Sequence, residues 1–344
     1  MLKIERINEV FCKISNRTTV AECLSYDAYY YKKGKYKKEK KVYRKDFLAT
    51  SGRVKPSEQK MYVGHVPRLL AWLDEMDIPY KYFNHPGFTM PSPKVVKPDI
   101  PGIKFRDYQQ EAIREMLKKN IGVVKCPTGS GKTIIMAGII SALVNDTVLI
   151  VTYTKDIFNQ TIEVMSRLSP EDVGWIGDGK KKINNITIAL MQTLGNLLTG
   201  SNRDLDFGDW WHLLLVDECH HCRKKDGISH KVLEKIYAPR RFGFTATPPT
   251  DDEGILCLEG MIGPQIYDVS YSTLIEDEVL AKPIVKLYES PKYPLAVELR
   301  DKKQRVSKRD KSKYSGYKAV YEYGIVKNRS RNAVSYTHLR AHET

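Results

Sequence analysis

Residues 126–133 read CPTGSGKT and are the most informative stretch of the chain. A short apolar run at 121–124 precedes them and a longer one at 133–144 follows, so this order predicts a strand, a tight loop and a helix. Gly129 and Gly131 allow backbone dihedrals that other residues avoid, and they place no side chain between the backbone N–H groups and a ligand. The loop is therefore predicted to cradle a polyphosphate at the amino-terminal end of the helix.

The spacing matches the phosphate-loop pattern G-x-x-x-x-G-K-[ST] except at its first place, where Cys126 stands. Lys132 is expected to reach the β- and γ-phosphates of ATP, and the hydroxyl of Thr133 to bind Mg²⁺. The alternative is a glycine-rich turn ahead of a core helix, which requires the Gly, Gly, Lys and Thr spacing to arise by chance. The residues expected to bind ATP in this loop are Pro127, Thr128, Gly129, Ser130, Gly131, Lys132 and Thr133.

The composition, with 42% hydrophobic residues in 344, allows a sizeable core and predicts two or three domains. The longest uncharged apolar run near the phosphate loop, 133–145, has 13 residues, short of the ~20 that a membrane span needs. Residues 1–10 mix Lys, Glu and Arg, which is not typical of a signal peptide. Six scattered cysteines predict no disulfide framework. We therefore expect a cytoplasmic protein without a membrane partner.

The net charge of +15 is unevenly distributed. Residues 1–100 carry 20 Lys and Arg against 11 Asp and Glu, and residues 291–344 carry 14 against 5, whereas the middle of the chain is slightly acidic. Basic flanks of this kind favour a polyanionic partner, because phosphates release counterions when Lys and Arg bind them. A basic surface that serves only solubility is the alternative.

The most basic segment lies at 29–45, which reads YYYKKGKYKKEKKVYRK. Alternation on either side of Gly34 predicts two strands joined by a turn. Cations interleaved with aromatic rings suit a nucleic-acid backbone with bases or sugars stacked beside it, although a solvated charged hairpin is the alternative. The candidate nucleic-acid contacts in this segment are Lys32, Lys33, Lys35, Tyr36 and Lys37.

The remaining pattern predicts a small basic α+β domain followed by an α/β domain. A strand and an amphipathic helix are expected within 61–76, and the proline-rich segment 86–101 is the expected linker. After residue 125, strands predicted at 147–152 and 186–190 flank a helix predicted at 155–168. Such alternation predicts a mostly parallel sheet with helices on both faces.

Residues 213–221, LLLVDECHH, form the second decisive stretch. Four apolar residues predict a buried strand that delivers two neighbouring carboxylates at its carboxyl end, 85 residues after Lys132. Asp217 is the expected ligand of Mg²⁺, and Glu218 the expected base that orients and deprotonates the attacking water. The catalytic residues predicted from the sequence are therefore Lys132, Asp217 and Glu218.

The same stretch contains a cysteine and histidine cluster, Cys219–His220–His221–Cys222. A structural zinc site needs four ligands that converge tetrahedrally, which four consecutive residues at a strand end cannot do. Zinc is therefore not expected. His220 is instead predicted to hydrogen-bond a neighbour and to connect the phosphate site to the GFTATP stretch at 243–248, where the hydroxyls of Thr245 and Thr247 lie.

Four stretches, FRDYQ, CPTGSGKT, VDECHH and GFTATP, in this order resemble the first RecA-like domain of superfamily-2 helicases and translocases. The resemblance covers residues 100–290. The letters DECH and TATP differ from the DEAD and SAT of the RNA-helicase group and point to double-stranded DNA translocases. The basic first domain, followed by MYVGHVPRLLAWL, looks like the accessory domain of phage recombination and repair helicases of the branch-migrating type.

The resemblance implies further roles for residues of this chain. Gln109, beside Arg106, resembles the glutamine that senses adenine, as an amide can pair with the adenine edge. His220, Thr245 and Thr247 would couple the nucleotide site to movement. Four residues match segments that hold one nucleic-acid strand by its phosphates, although isolated polar residues at such places are also helix caps. They are Thr152, Thr154, Gln192 and Thr193.

The expected organisation is a basic accessory domain at 1–95, a RecA-like phosphate-loop NTPase domain at 96–281, and the start of a second RecA-like domain at 282–334, with a strand at 282–289 and a helix at 314–334. The family uses that second domain to supply arginine fingers to the ATP site. Residues 335–344, SYTHLRAHET, resemble translated sequencing-adapter DNA and are expected to be a non-native tail.

The expected function is that of an ATP- and Mg²⁺-dependent DNA helicase or translocase in recombination, repair or branched-DNA processing, in a bacterial or phage-infected cell. Single-stranded or branched double-stranded DNA is the expected partner. Three alternatives stay open: a nucleotide- and DNA-binding fragment without turnover, the motor subunit of a restriction enzyme, and an RNA helicase, since no residue singled out above would read the 2′-hydroxyl.

Overall fold

The computed structural model describes residues 1–33, 38–49, 59–169, 172–199, 206–225 and 227–282. The chain divides into two compact units, Met1–Ala281 and Lys282–Thr344. All of the second unit after Lys282 lies outside the described residues. The predicted strand at 282–289, the predicted helix at 314–334 and the tail at 335–344 fall there, so they stay predictions.

The first residues form a four-stranded sheet in the order β5-β2-β1-β6, with two helices. Strand β1 pairs antiparallel with β2 and parallel with β6. The elements are β1 (Leu2–Arg6), β2 (Phe11–Ile14), α1 (Arg17–Cys23), β5 (Lys60–Tyr62), α2 (Val66–Glu75) and β6 (Tyr80–Asn84). The strand and amphipathic helix expected within 61–76 are therefore present, with Leu69 and Leu73 of α2 buried.

Strands β3 (Ser25–Lys33) and β4 (Lys38–Asp46) form a separate antiparallel ribbon. Its register runs from Ser25 opposite Asp46 to Lys33 opposite Lys38, which confirms the two strands predicted on either side of Gly34, whereas the turn itself lies outside the described residues. Lys35, Tyr36 and Lys37 lie outside the described residues, as do the side chains of Lys32 and Lys33. Their role as nucleic-acid contacts stays a prediction.

An eight-stranded sheet in the order β12-β11-β13-β10-β14-β15-β8-β16 forms the core of the central domain. Neighbouring strands are parallel except β11 and β12, which confirms the predicted mostly parallel sheet. Strands β10, β13 and β14 are buried along their whole length, as expected where helices cover both faces. The strands are β8 (Ile121–Lys125), β10 (Val148–Thr152), β11 (Val173–Gly177), β12 (Lys180–Lys182), β13 (Ile186–Leu190), β14 (Leu213–Val216), β15 (Arg240–Thr245) and β16 (Gln265–Asp268).

Seven α-helices accompany this sheet in the described ranges: α3 (Asp107–Lys119), α4 (Lys132–Ala142), α5 (Lys155–Leu168), α6 (Met191–Thr199), α7 (Ile228–Leu233), α8 (Asp252–Met261) and α9 (Tyr271–Glu276). Helix α5 has its predicted bounds, because the hydroxyl of Thr154 accepts from the N–H of Ile157 and caps it. None of the described helices combines the length and apolar character needed to cross a membrane.

Helix α4 ends before residue 144, contrary to the prediction of a helix through the apolar run 133–144. The next two residues form strand β9 (Leu143–Val144), which pairs with β7 (Lys94–Val95) in the proline-rich segment. Backbone hydrogen bonds to that segment replace a further helical turn. The N–H of Val96 continues the contact by donating to the carbonyl of Ala142. The expected linker thus runs along the central domain.

The amino-terminal sheet packs against the central domain, and one hydrophobic cluster contains residues of both. Arg68 of α2 binds Glu259 of α8 through two hydrogen bonds of 2.6 and 2.7 Å. The ring of Tyr62 lies edge-on to that of His230 in α7, with centroids 5.3 Å apart. The hydroxyl of Tyr62 also donates to Glu234. Residues 1–95 and the central domain thus share one core within the first unit.

His65 makes this packing sensitive to pH. Its ring is fully buried, and Nε2 lies 2.7 Å from the carbonyl oxygen of Leu256. Because a carbonyl oxygen can only accept a hydrogen bond, Nε2 carries the single proton of the neutral ring. Nδ1 finds no hydrogen-bond partner among the described residues. Burial therefore lowers the pKa of His65 from 6.5 to about 4, because a second ring proton would be buried without an acceptor.

We expect acid to destabilise this unit. The pKa of His65 is lower in the folded chain, so its stabilising effect is complete above pH 6.5 and is lost as the pH falls towards about 4. The loss amounts to at most ~3 kcal/mol. Urea denaturation at pH 7.5 and pH 5 measures it, and His65→Gln, which can still donate to Leu256, should show a weaker pH dependence. An equal pH dependence in both proteins would contradict this origin.

Gly64, in the 3-10 helix Val63–His65, is required by the close approach of the amino-terminal sheet to α8. A Cβ at this position would lie 1.9 Å from the carbonyl oxygen of Glu259. We expect Gly64→Ala to destabilise the first unit by ~1–3 kcal/mol or more, since backbone must shift to admit the methyl group. In thermal denaturation Gly87→Ala is the matched control, because its Cβ would meet nothing closer than 3.4 Å. Equal melting temperatures for the two variants would refute the prediction.

Candidate functional site

The candidate site lies where three neighbouring strands end. Strands β14, β15 and β8 are adjacent in the sheet and parallel. The DECHH stretch follows β14, the GFTATP stretch includes the end of β15, and the phosphate loop follows β8. Because the carboxyl ends of parallel strands meet at one edge of a sheet, the topology brings together three motifs that lie far apart in the chain.

The phosphate loop has the predicted strand–loop–helix form. Gly129 and Gly131 have φ values of 86° and 78°, in the left-handed region that favours glycine. A Cβ at Gly129 would lie 2.8 Å from Leu280, and one at Gly131 would lie 2.7 Å from the amide nitrogen of Gln109. Both positions therefore favour glycine for conformation, and a side chain at either one would also have to displace the end of Leu280 or Gln109.

Hydrogen bonds between residues of the phosphate loop also stabilise its conformation. Ser130 is fully buried, and its backbone N–H and hydroxyl both donate to the carbonyl of Pro127, at 3.2 and 2.8 Å. Cys126, at the first place of the pattern, is buried, and burial raises the pKa of its thiol to about 12. It acts as a small apolar residue, so the departure from glycine leaves the turn intact.

Lys132, Asp217 and Glu218 meet as the sequence predicts. Lys132 Nζ donates to Glu218 Oε1 at 2.6 Å and lies 3.9 Å from Asp217 Oδ1. Although burial lowers the pKa of Lys132, the hydrogen bond to Glu218 and the charges of both acids raise it above its usual value. Burial raises the pKa of Asp217, because the more distant Lys132 only partly offsets it. Without a nucleotide, the loop lysine thus neutralises the acidic pair.

Glu218 has an unusual backbone conformation for a residue with a side chain. Its φ and ψ of 47° and 46° lie in the left-handed region, which costs on the order of 1 kcal/mol or more for a residue other than glycine. The surrounding hydrogen bonds maintain it: Glu218 N–H donates to Asp217 Oδ1, and the N–H of His221 donates to the Glu218 carbonyl. This backbone turn directs the two adjacent carboxylates to one lysine.

His220 connects the acidic pair to β15. Its Nδ1 lies 3.2 Å from Glu218 Oε2 and 2.8 Å from the hydroxyl of Thr245, which is fully buried. Thr245 also accepts from the N–H of Thr247. Burial and the adjacent His221 lower the pKa of His220. The predicted contact between His220 and the GFTATP stretch is present, with Thr247 contributing its backbone and not its hydroxyl.

Gln109 lies beside the loop. It is 3% exposed, its Oε1 accepts from the N–H of Arg106 at 3.0 Å, and its Nε2 donates to the carbonyl of Ser130 at 3.3 Å. Tyr108, whose contact the sequence did not predict, donates its hydroxyl hydrogen to the same carbonyl at 2.8 Å. Arg106 is exposed. Tyr108 and Gln109 of the FRDYQ stretch therefore hold the phosphate loop in place through the carbonyl of Ser130. The only feature of the sequence that could have indicated the role of Tyr108 is its position next to Gln109.

The four candidate nucleic-acid residues have different environments. Thr152 is fully buried, and its hydroxyl finds no partner within the described ranges, so it does not face solvent in this conformation. Thr154 is exposed, and its hydroxyl caps α5, which is the alternative role that the sequence analysis gave for such polar residues. Gln192 is exposed and Thr193 half-buried in the first turn of α6. Their binding role stays a prediction, and for Thr152 it would require a rearrangement.

The residues present fit Mg-ATP. Two glycines leave a cradle that a Cβ would fill, and the lysine and two carboxylates are within reach of one another. Mg²⁺ in such sites uses one or two protein oxygens, with phosphates and water as the remaining ligands, so Thr133 and Asp217 suffice.

Zinc has a poorer fit to this region. The four consecutive residues of the cysteine and histidine cluster point to different partners, since Cys222 Sγ lies 4.0 Å from Cys257 Sγ whereas His220 faces Thr245. Throughout the described part of the chain, no group of three or more His, Cys, Asp or Glu forms a candidate metal cluster.

Comparison with known proteins gives a consistent result. Residues 102–250 match the family described as type III restriction enzyme, res subunit. The chain is 32% identical over 189 residues to the DNA 3'-5' translocase XPB2 of Sulfurisphaera tokodaii, covering 55% of this chain and 41% of that protein. It is 29% identical over 177 residues to the DNA 3'-5' helicase XPB of Kineococcus radiotolerans, covering 50% of this chain and 31% of that protein. The chain thus spans less than half the length of these curated relatives.

A solved structure shares the fold over a longer stretch. The UvsW helicase from bacteriophage T4 superposes with a TM-score of 0.56 and 15% sequence identity, covering 77% of this chain and 99% of that one. An identity this low shows a common fold and no more. The superposition includes 77% of this chain, which is more than residues 102–250 alone. The common fold therefore extends beyond the residues that match the family.

Proposed function

We propose that the protein is a superfamily-2 helicase motor that hydrolyses ATP with Mg²⁺ and uses the energy to move along DNA. The match of residues 102–250 to the family described as type III restriction enzyme, res subunit, and the curated relatives named DNA translocases or helicases support this proposal. The observation that carries the proposal is the continuous chain of contacts from Lys132 through Glu218 and His220 to Thr245. These contacts support the proposal because they bring together the lysine of the phosphate-loop pattern, the candidate base and a threonine of the neighbouring strand β15.

Bound Mg-ATP supplies a γ-phosphoryl group that water can attack, and the metal would be held by Thr133 and Asp217. Lys132 would leave Glu218 for the phosphate oxygens, because its ammonium group cannot form short hydrogen bonds with the carboxylate and with the phosphates at once. Glu218 is then free to orient a water and accept its proton. When Glu218 reorients, the contact between Glu218 and His220 Nδ1 changes. Because the same nitrogen contacts the hydroxyl of Thr245, the position of that hydroxyl on β15 changes with it.

DNA is the proposed partner because the curated relatives are named DNA translocases or helicases and because the chain's flanks are basic. Thr154, Gln192 and Thr193 follow β10 and β13 at the same sheet edge as the ATP site and are the proposed contacts with one strand. The ribbon β3–β4 is proposed as a second DNA-binding element. A role in recombination, repair or branched-DNA processing is the process we propose.

Phosphate release by the chain with Mg-ATP, measured with and without single-stranded DNA, tests the proposal. DNA should raise the rate, and RNA of equal length should raise it less. A chain that binds both ATP and DNA but releases no phosphate would instead be a binding module without turnover. Stimulation by RNA alone would identify an RNA helicase, and DNA cleavage accompanying hydrolysis would identify a restriction-enzyme motor.

A further inference from the structure

His221 has no role in the proposed chemistry, yet its ring lies between two groups that the mechanism needs to connect. Its centroid is 4.3 Å from that of His220 and 4.5 Å from that of Tyr153, with interplanar angles of 36° and 43°. Three rings therefore follow one another in direct contact. One end of the series touches Glu218 through His220, at 3.2 Å.

The other end of the series lies in the proposed DNA-binding segment. Tyr153 follows β10 and immediately precedes Thr154, whose hydroxyl caps α5. Tyr153 is half-buried and packs against the core, and it is joined directly to Thr154 at the start of α5. A strand bound at Thr154 would therefore bias the position of Tyr153, and Tyr153 that of His221.

The backbone of His221 is also tied to the catalytic turn. It lies in the 3-10 helix Cys219–His221, and its N–H donates to the carbonyl of Glu218 at 3.1 Å. Glu218 itself is held in the left-handed region. A change in the Glu218 backbone when Lys132 leaves its carboxylate thus reaches His221 directly as well as through His220.

We propose that His221 is a positioning residue that couples DNA binding at residues 153–154 to Glu218 through these ring contacts. The proposal rests on the proposed function and adds a second route to the one through His220 and Thr245. It requires that the two sites influence each other's affinity equally, as linkage demands. It predicts that the aromatic ring, and not the imidazole chemistry, is the property that matters at this position.

The experiment is a linkage measurement on the chain itself. The affinity for a fluorescein-labelled single-stranded oligodeoxynucleotide is measured by anisotropy with and without a non-hydrolysable ATP analogue and Mg²⁺. The ratio of the two affinities is the coupling factor, expected to differ from one by about 5-fold or more in the unsubstituted chain. Circular dichroism melting confirms that each variant is folded.

Removing the ring in His221→Ala or His221→Gln should bring the coupling factor at least about 2-fold closer to one, since the route through His220 and Thr245 remains, while His221→Phe should restore the full factor. The double variant with Tyr153→Leu should lose no more coupling than either single variant, because both changes break one series of contacts. His85→Ala, at an exposed histidine after β6, is the matched control and should keep the full factor.

Full coupling in a folded His221→Ala or His221→Gln chain would overturn the inference and leave the proposed function intact. Loss of coupling in His221→Phe as complete as in His221→Ala would also overturn it, since the ring would then not be the relevant property. If the unsubstituted chain binds no DNA or shows a factor of one, both the inference and the proposed function fail.

Discussion

Replacing Lys132 by alanine is expected to abolish measurable ATP binding, a loss of about 100-fold or more in affinity. The charged hydrogen bonds of a lysine to phosphate contribute ~1.5–3 kcal/mol each, and here more than one phosphate group is within its reach. The variant also leaves Asp217 and Glu218 as neighbouring carboxylates without the cation that now lies 3.9 and 2.6 Å from them. Their repulsion of a triphosphate adds to the loss. Titration with a fluorescent ATP analogue and Mg²⁺ measures it.

Lys118→Ala is the matched control for this substitution. Lys118 is an exposed lysine that also pairs with a carboxylate, Glu115 at 2.7 Å on the same helix α3. Its removal should change ATP affinity by less than about 2-fold, since exposed pairs of this kind contribute little. Wild-type affinity in Lys132→Ala would contradict the assignment of residues 126–133 as the nucleotide site.

The second large effect is expected for Glu218→Gln, which should separate ATP binding from hydrolysis. The amide cannot accept the proton of the attacking water, so phosphate release should fall by ~10²-fold or more. ATP affinity should stay equal or increase. The reason is that Lys132 donates to Glu218 at 2.6 Å without a nucleotide, and a neutral glutamine holds it less strongly.

Phosphate release should be followed at saturating Mg-ATP with single-stranded DNA present, the condition in which turnover of the unsubstituted protein is expected to be highest. Glu115→Gln, at a half-buried carboxylate of α3 that also pairs with a lysine, is the matched control and should turn over normally. A Glu218→Gln protein that hydrolyses ATP at the normal rate would remove Glu218 from the role of base. One that binds ATP much more weakly would contradict the competition between Glu218 and the nucleotide for Lys132.

The sequence predicted the central sheet well, because its signal is local. The run 213–216 is apolar throughout and 186–190 is apolar except for Thr187, which is typical of strands covered on both faces. The polar cap Thr154 marks the start of α5. The end of α4 was not predictable in this way. Leu143 and Val144 suit a helix locally, and only their pairing with β7, distant in the chain, makes them a strand.

The residues of the candidate site likewise fall into those that a local pattern predicts and those whose environment depends on distant parts of the chain. Lys132, Asp217, Glu218 and His220 were found because each belongs to a short pattern with a known chemical reason. Thr152 was grouped with exposed contacts since a pattern does not report burial, and the structure places it fully inside. The ring of His221 escaped notice for a related reason. Its proposed role depends on contact with the ring of Tyr153, which follows a different strand, β10, and is distant in the sequence.

The central claim is that Lys132 and the acidic pair surround one magnesium-bound triphosphate. A crystal structure with Mg²⁺ and a non-hydrolysable ATP analogue tests it most directly. Lys132 Nζ should have left Glu218 and lie on a phosphate oxygen, with Thr133 and Asp217 either bound to the metal at ~2.1 Å or linked to it by one water. A nucleotide bound elsewhere, or a 2.6 Å contact from Lys132 to Glu218 that persists beside the bound nucleotide, would contradict the claim.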